Sequence, residues 1–364
     1  MTDAINCFGV VIVLCLITIC ETCVTPSGSS GKCVPIQQCS NLFALKQLTS
    51  NITANVAKYL KSAECMSPNS TEKGVCCPPD RVFQLPENCG LSSNERIAHG
   101  NKTAVFEFPW MALLMYRNLY SDEVTGNCGG TLINERYVLT AAHCLKPDDN
   151  YKLELVRLGE HTTDMDKDCN NITEAGVLIE QDCAGPVEDI RFESYIAHPQ
   201  YQNAFSGNDI GLIRLAEPVT FKHHIKPICL PMTSDLKDTL LPEYIVAGWG
   251  LTEELRRSNV LLKTQILRLE QSKCQQRITE IDTKKLNITI SEKQICAGGR
   301  NFEDSCQGDS GGPLMWPAQY LNRTRFVQFG VVSYGINHCG EINFPGVYAR
   351  VGSYIGWILA NMKA

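Results

Sequence analysis

An all-β sandwich or barrel of many short strands, preceded by a small disulfide-stapled module and closed by one helix, is the architecture this 364-residue sequence predicts. Three observations predict it. Of the 19 cysteines, those from Cys23 to Cys77 are crowded while the later ones are sparse. Beyond Ile97, short apolar runs rich in Val and Tyr recur between Gly, Asn and Pro punctuation. Near the end, Val351, Tyr354, Ile355, Ile358 and Leu359 repeat at helical spacing and mark one apolar face. A hydrophobic content of 44% excludes wholesale disorder. A net charge of -6 without a clustered Lys/Arg run argues against a nucleic-acid binder or a polybasic membrane-surface protein.

Residues 1–20 read as an export signal. The uncharged run from Cys7 to Cys20 is 14 residues long, whereas a membrane span needs about 20. The preceding MTDAIN lacks Lys and Arg, so only the amino terminus supplies positive charge there. Removal of this segment takes Cys7, Cys15 and Cys20 with it and leaves an even 16 cysteines. An oxidising, secreted setting follows. Sequons at Asn51, Asn69, Asn101, Asn171, Asn287 and Asn322 fit that setting.

Residues 23–77 hold Cys23, Cys33, Cys39, Cys65, Cys76 and Cys77 in 55 residues, too few for a large core. Six cysteines allow 15 pairings, and spacing alone selects none. Residues 78–96, PPDRVFQLPENCGLSSNER, have no sustained period and read as a linker or activation peptide. Residues 97–364 carry the strand-like runs FPWMALLMY, TLINERYVLTAA, LELVRLG, DIGLIRL, YIVAGWG, FVQFGVVSYG and GVYARV, then the C-terminal helix.

Three segments of this last region carry chemistry-bearing residues. Ser310 lies in DSCQGDSGGP, where Gly308, Gly311 and Gly312 permit a tight turn with amide N–H groups around a hydroxyl; His143 lies in LTAAHC and Asp209 in NDIGLIRL. A serine attacks at neutral pH only when an imidazole takes its proton, a carboxylate orients the imidazole and backbone donors receive the oxyanion. Singly, a buried His or a capping Asp is ordinary structure. Together, in the order His, Asp, Ser, they resemble the chymotrypsin-like serine proteases over residues 97–364.

That resemblance implies two antiparallel six-stranded β-barrels with a C-terminal helix. It implies Ser310 as nucleophile, His143 as general base and acid, Asp209 as its orienting partner, and the N–H groups of Gly308 and Ser310 as oxyanion hole. Asp304, six residues before Ser310, matches the floor of the primary specificity pocket, and Gly335 and Gly346 match its walls. Cleavage after Arg or Lys is the implied specificity, since a buried carboxylate needs a cationic partner. Tyr334 stands where many relatives carry Trp. A cut between Arg96 and Ile97 would free an amine to pair with Asp309 and order the site, making the intact chain a zymogen; Ala98 and His99 depart from the usual start of such a domain.

The crowded cysteines, ending in Cys76-Cys77-Pro78-Pro79, resemble the CLIP module of arthropod secreted proteases. The family arrangement implies Cys23–Cys76, Cys33–Cys65 and Cys39–Cys77. In the protease region it implies Cys128–Cys144, Cys274–Cys296, Cys306–Cys339 and Cys89–Cys229, leaving Cys169 with Cys183. Related proteases suggest no cofactor for catalysis but a structural calcium on the acidic loop LGEHTTDMDKDC, held by the carboxylates of Glu160 and Asp168 and the carbonyls of Thr162 and Met165. The pair His223-His224 reads as exposed polar residues, with no further ligand at metal-binding spacing.

The resemblance implies limited proteolysis in an arthropod haemolymph cascade of innate immunity, feeding either Toll-ligand processing or melanisation. The expected partners are precursor zymogens or cytokine-like ligands as protein substrates, an upstream activating protease and inhibitors of the serpin class. Neither nucleic acid nor a membrane is expected. Two other readings compete: a non-hydrolytic protease-like cofactor, which usually lacks a triad residue, and a digestive trypsin, which lacks the CLIP module.

Overall fold

The computed structural model describes residues 22–25, 30–39, 42, 60–66, 73–77, 85–86, 88–92, 102–174, 177–252, 256–281, 288–298, 308–335 and 345–362. The export signal, the cut site Arg96-Ile97, Asp304 and the pair Cys306 and Cys339 lie outside the described residues. The chain divides into two compact units, one up to Phe83 and the other Gln84–Met362. No helix among the described residues is long and apolar enough to cross a membrane.

The first unit is a small antiparallel sheet of β1 (Thr22–Val24), β2 (Ser30–Val34), β3 (Glu64–Met66) and β4 (Lys73–Cys77) in the order β1-β2-β4-β3. Leu42, Ala63 and Val75 are buried apolar side chains of this unit among the described residues. In a module this short, crosslinks carry much of the stabilisation. They are Cys23–Cys76, Cys33–Cys65 and Cys39–Cys77, the three that the resemblance implies.

The second unit opens with β5 (Met111–Asn118), β6 (Val124–Leu132), β7 (Tyr137–Thr140) and β8 (Tyr151–Leu158). The run Met111–Tyr116 is buried at every position, as suits a strand packed on both faces. A projecting hairpin, β9 (Cys169–Glu174) with β10 (Val177–Cys183), is tied at its base by Cys169–Cys183. Next come β11 (Glu188–Ile190), β12 (Phe192–Ala197) and β13 (Gly211–Leu215). The sheet order is β11-β8-β5-β6-β7-β13-β12. Its two outermost members are consecutive in the chain, interrupted only at Arg191, so this split strand reaches both edges. The seven strands thus occupy the six positions of the expected first barrel, the split strand serving at both ends of the sheet.

The second barrel is closed, in the order β14-β15-β16-β19-β18-β17. Its strands are β14 (Glu243–Gly248), β15 (Leu262–Leu269), β16 (Gln294–Gly298), β17 (Pro313–Tyr320), β18 (Arg323–Tyr334) and β19 (Gly346–Arg350). Leu321 and Asn322, both left-handed at φ 49° and 61°, make the two-residue turn from β17 to β18. Helix α1 (Ser234–Asp238) is capped by the Thr233 hydroxyl, and α2 (Gln271–Ile281) is fixed by Cys274–Cys296. A 3₁₀ turn, Val351–Tyr354, leads into α3 (Ile355–Asn361), and the five residues of the predicted apolar face are all buried. Between the barrels Trp110, Phe108 and Phe326 pack with ring centroids 5.4 to 5.7 Å apart. Cys89 is bonded to Cys229, and both are buried.

Candidate active site

The first barrel supplies a histidine and an aspartate. His143 begins a 3₁₀ turn, His143–Leu145, directly after β7, and the Cys128–Cys144 bridge pins that turn to β6. Asp209 lies just before β13 and is 1% exposed. Its Oδ1 accepts from the His143 backbone N–H at 2.9 Å, and its Oδ2 lies 2.8 Å from His143 Nδ1. A buried carboxylate held there places the ring proton on Nδ1 and leaves Nε2 facing the cleft.

Asp209 has a further partner that the sequence did not reveal. Ser333, buried on β18 of the second barrel, donates from Oγ to Asp209 Oδ2 at 2.6 Å. Burial pushes the phenols of Tyr201 and Tyr334 up to about 12 and raises that of Tyr354, with Asp209 adding to each shift. These rings stay neutral at ordinary pH, so they bring no second anion beside Asp209.

Ser310 arrives from the second barrel on the turn before β17. Its carbonyl accepts from Gly129 N–H at 2.7 Å, while Gly312 N–H bonds to Asp309 O and Gly311 N–H to Val332 O, both at 2.9 Å. Cys144 Sγ lies 3.6 Å from both His143 Nε2 and Ser310 O, so histidine and serine segments meet at one bridge. Gly308 has φ +107°, and a Cβ there would lie 2.9 Å from Gly250 Cα. Only glycine fits such a position. Among the described residues, neither the Gly308 nor the Ser310 amide donates to a neighbouring backbone carbonyl.

Asp309 turns away from the cleft. Its Oδ1 accepts from Gly250 N–H at 2.9 Å, and a Cβ at Gly248 would fall 2.0 Å from that oxygen. The glycines of VAGWG therefore make the slot that holds this carboxylate. At the expected pocket walls, Gly346 is buried at the start of β19, and a Cβ at Gly335 would meet nothing within 4 Å among the described residues. Phe205 meets the Tyr334 ring edge-on, with centroids 4.9 Å apart.

The ligand atoms of Cys128, His143 and Cys144 lie within 4.8 Å of one another. Both sulfurs are spent in the disulfide, so no thiolate remains to hold a metal. On the acidic loop, Glu160 and Asp168 are buried. Glu160 accepts from His161 N–H at 2.9 Å and from Arg157 at 3.3 Å; Asp168 accepts from Thr162 N–H at 3.2 Å. Burial pushes the Glu160 carboxyl up, the Arg157 charge opposes this, and Asp168 adds to the push. The Thr162 carbonyl accepts from Met165 N–H and keeps a second lone pair. Hard oxygens around two buried carboxylates suit a calcium ion.

One expectation fails. His223 is exposed, but His224 is buried, 8% exposed, and Nε2 lies 3.2 Å from Pro186 O. Gly159 and Gly185 make room for its ring, since a Cβ on either would approach it within 2.8 Å.

Comparison with known proteins shows the family and the fold. Residues 97–358 match the Trypsin family, and residues 23–77 match the regulatory CLIP domain of proteinases. Serine protease grass of Drosophila melanogaster is 36% identical, with 94% of this chain and 92% of that protein covered. Melanization protease 1 of the same organism is 35% identical, at 94% and 93% coverage. The crystal structure of the Drosophila Grass clip serine protease of the Toll pathway aligns with TM-score 0.67 at 36% identity, covering 94% of this chain and 97% of that one.

Proposed function

The chain belongs to the trypsin family of serine proteases and carries a regulatory CLIP domain, and from this we propose that it is a secreted zymogen of an extracellular immune cascade. Cleavage between Arg96 and Ile97 activates it, and the product cuts protein precursors after Arg or Lys. The domains are a signal at 1–20, CLIP at 23–77, an activation peptide at 78–96 and the protease at 97–364. The relatives named for the Toll pathway and for melanization support the cascade setting.

The observation that carries the reading is the pairing of His143 Nδ1 with buried Asp209 at 2.8 Å beside the Ser310 turn. Ser310 Oγ attacks the scissile carbonyl while His143 Nε2 takes its proton, and the N–H groups of Gly308 and Ser310 receive the oxyanion. The same Nε2 proton then goes to the departing amine, and water repeats the sequence on the acyl-enzyme. Asp304 at the pocket floor meets the substrate cation, with Gly335 and Gly346 leaving room for it. The freed Ile97 amine pairs with Asp309 in its glycine slot. Glu160 and Asp168, with the Thr162 and Met165 carbonyls, hold calcium for stability; catalysis needs no cofactor. An upstream protease makes the activating cut, and serpins stop the enzyme.

The test is activation followed by turnover of a small Arg amide. Cut protein should run as one band without reductant and two with it, because Cys89–Cys229 spans the cut, and the larger fragment should begin Ile97-Ala98-His99-Gly100. Ser310→Ala should be cut alike and lose at least about 10³-fold in turnover. No turnover by the cut wild type would instead support a non-hydrolytic cofactor.

A further inference from the structure

Arg257 stands on the rim of the cleft, beside the oxyanion turn. Its Nη1 would lie 3.7 Å from a Cβ built at Gly308. The same nitrogen donates to the Gly126 carbonyl, and Nη2 donates to Asn127 Oδ1 at 2.5 Å. Both acceptors are uncharged, and among the described residues Arg257 has no carboxylate within ion-pair distance; partial burial lowers the guanidinium's pKa, and the charge of Asp309 opposes that shift. The residue is exposed. A guanidinium fixed at two points and still open to solvent has donors left for a third partner.

Its place fixes which part of a substrate it can meet. The departing amine must lie at His143 Nε2, and the atom beside that nitrogen is Cys144 Sγ, 3.6 Å away. Cys144 is bridged to Cys128, and Asn127 directly precedes Cys128. A chain leaving the scissile bond in this direction passes over the bridge to Asn127 and then Arg257. Gly335, expected at the pocket wall just after β18, belongs to the acyl half instead.

Resting on the serine protease reading above, we propose that Arg257 is a specificity-determining residue for the leaving half of the substrate, selecting precursors with Asp or Glu within the first three residues after the cut. The carboxylate completes the guanidinium's donor set in a bidentate pair. Partial exposure keeps the gain modest and sensitive to salt.

The experiment uses activated full-length enzyme and three quenched peptides, identical except for Glu, Gln or Ala at the second position after a single Arg, with no Lys elsewhere. The Glu peptide should exceed the Gln peptide about three- to tenfold in kcat/KM, and added salt should shrink that ratio. Arg257→Gln should bring the ratio near one, and Arg257→Glu should invert it. Because each ratio is taken within one enzyme, a general loss of activity cancels. A ratio unchanged in Arg257→Gln overturns the assignment and leaves Arg257 as a tie between its loop and β6. Failure of the wild type to hydrolyse an Arg anilide, which has no residue beyond the cut, overturns the protease reading and this one with it.

Discussion

Lys263→Met should be among the most destabilising single changes outside the active site. Lys263 on β15 and Glu107, in the segment before β5, form an ion pair at 2.5 Å, and each side chain is only 8% exposed. The other Glu107 oxygen accepts from Ala104 N–H at 3.0 Å, and Thr103 bonds to Leu261 through both N–H and Oγ1. Methionine retains most of the lysine volume, so the loss is electrostatic. It strands a buried carboxylate with one amide donor, which costs about 3–5 kcal/mol. For a domain of this size, that corresponds to a fall in melting temperature of roughly 10 °C. Adding Glu107→Gln removes the stranded charge but keeps the shape and the Ala104 bond. The double variant should therefore recover at least about 2 kcal/mol of the loss. Urea unfolding of the four proteins of the cycle, with slopes compared to confirm a common transition, measures both quantities. A Lys263→Met cost below about 1 kcal/mol, or a double variant weaker than the single, would refute the reasoning.

His198 packs against Tyr354 and Trp357, and burial, helped by Lys293, lowers its pKa to about 4. Its folded value lies below the unfolded one near 6.5, so its contribution is present above pH 6.5 and is lost as pH falls toward 4. Half-burial reduces the expected loss to about 1–2 kcal/mol. The stability gap between wild type and His198→Gln should narrow over that window; parallel pH curves would contradict it. For calcium, the melting temperature of metal-stripped protein should rise with free calcium, and Asp168→Asn should flatten the response. A wild type indifferent to calcium and chelator would leave Glu160 and Asp168 as a buried acidic pair only.

The readable parts of the sequence were those where local chemistry has few alternatives. GDSGGP requires glycines for a left-handed turn, and the structure places φ +107° and +81° at Gly308 and Gly311. The apolar runs became strands because Val- and Tyr-rich stretches bounded by turn residues have little else to form. The contacts made across long chain separations were not readable. Ser333 sits in FVQFGVVSYG as a lone hydroxyl, with no sign that its partner is Asp209, far back in the chain. His224 looked like surface because the slot that buries it is made by Gly159 and Gly185. Arg257 gave no signal either, since its acceptors are a backbone carbonyl and one amide.

The Ser333 and Arg257 contacts share a location, the junction between the barrels, and it explains their consequence. His143 and Asp209 come from the first barrel, whereas Ser310 and Ser333 come from the second. The bonds from Ser333 to Asp209, from Gly129 to Ser310 and from Thr131 to Gln328 all cross the junction, the last buried at 2.6 Å. Neither barrel alone contains the site. Catalytic geometry is therefore coupled to barrel docking: a change that loosens the junction removes the third donor from Asp209 while moving the Ser310 turn relative to His143. The Glu107–Lys263 pair ties the same two parts of the chain, joining the segment before β5 to β15 of the second barrel. Under the proposed activation, the cut at Arg96 frees a terminus a few residues before Thr103, whose N–H and Oγ1 already bond to Leu261 of the second barrel.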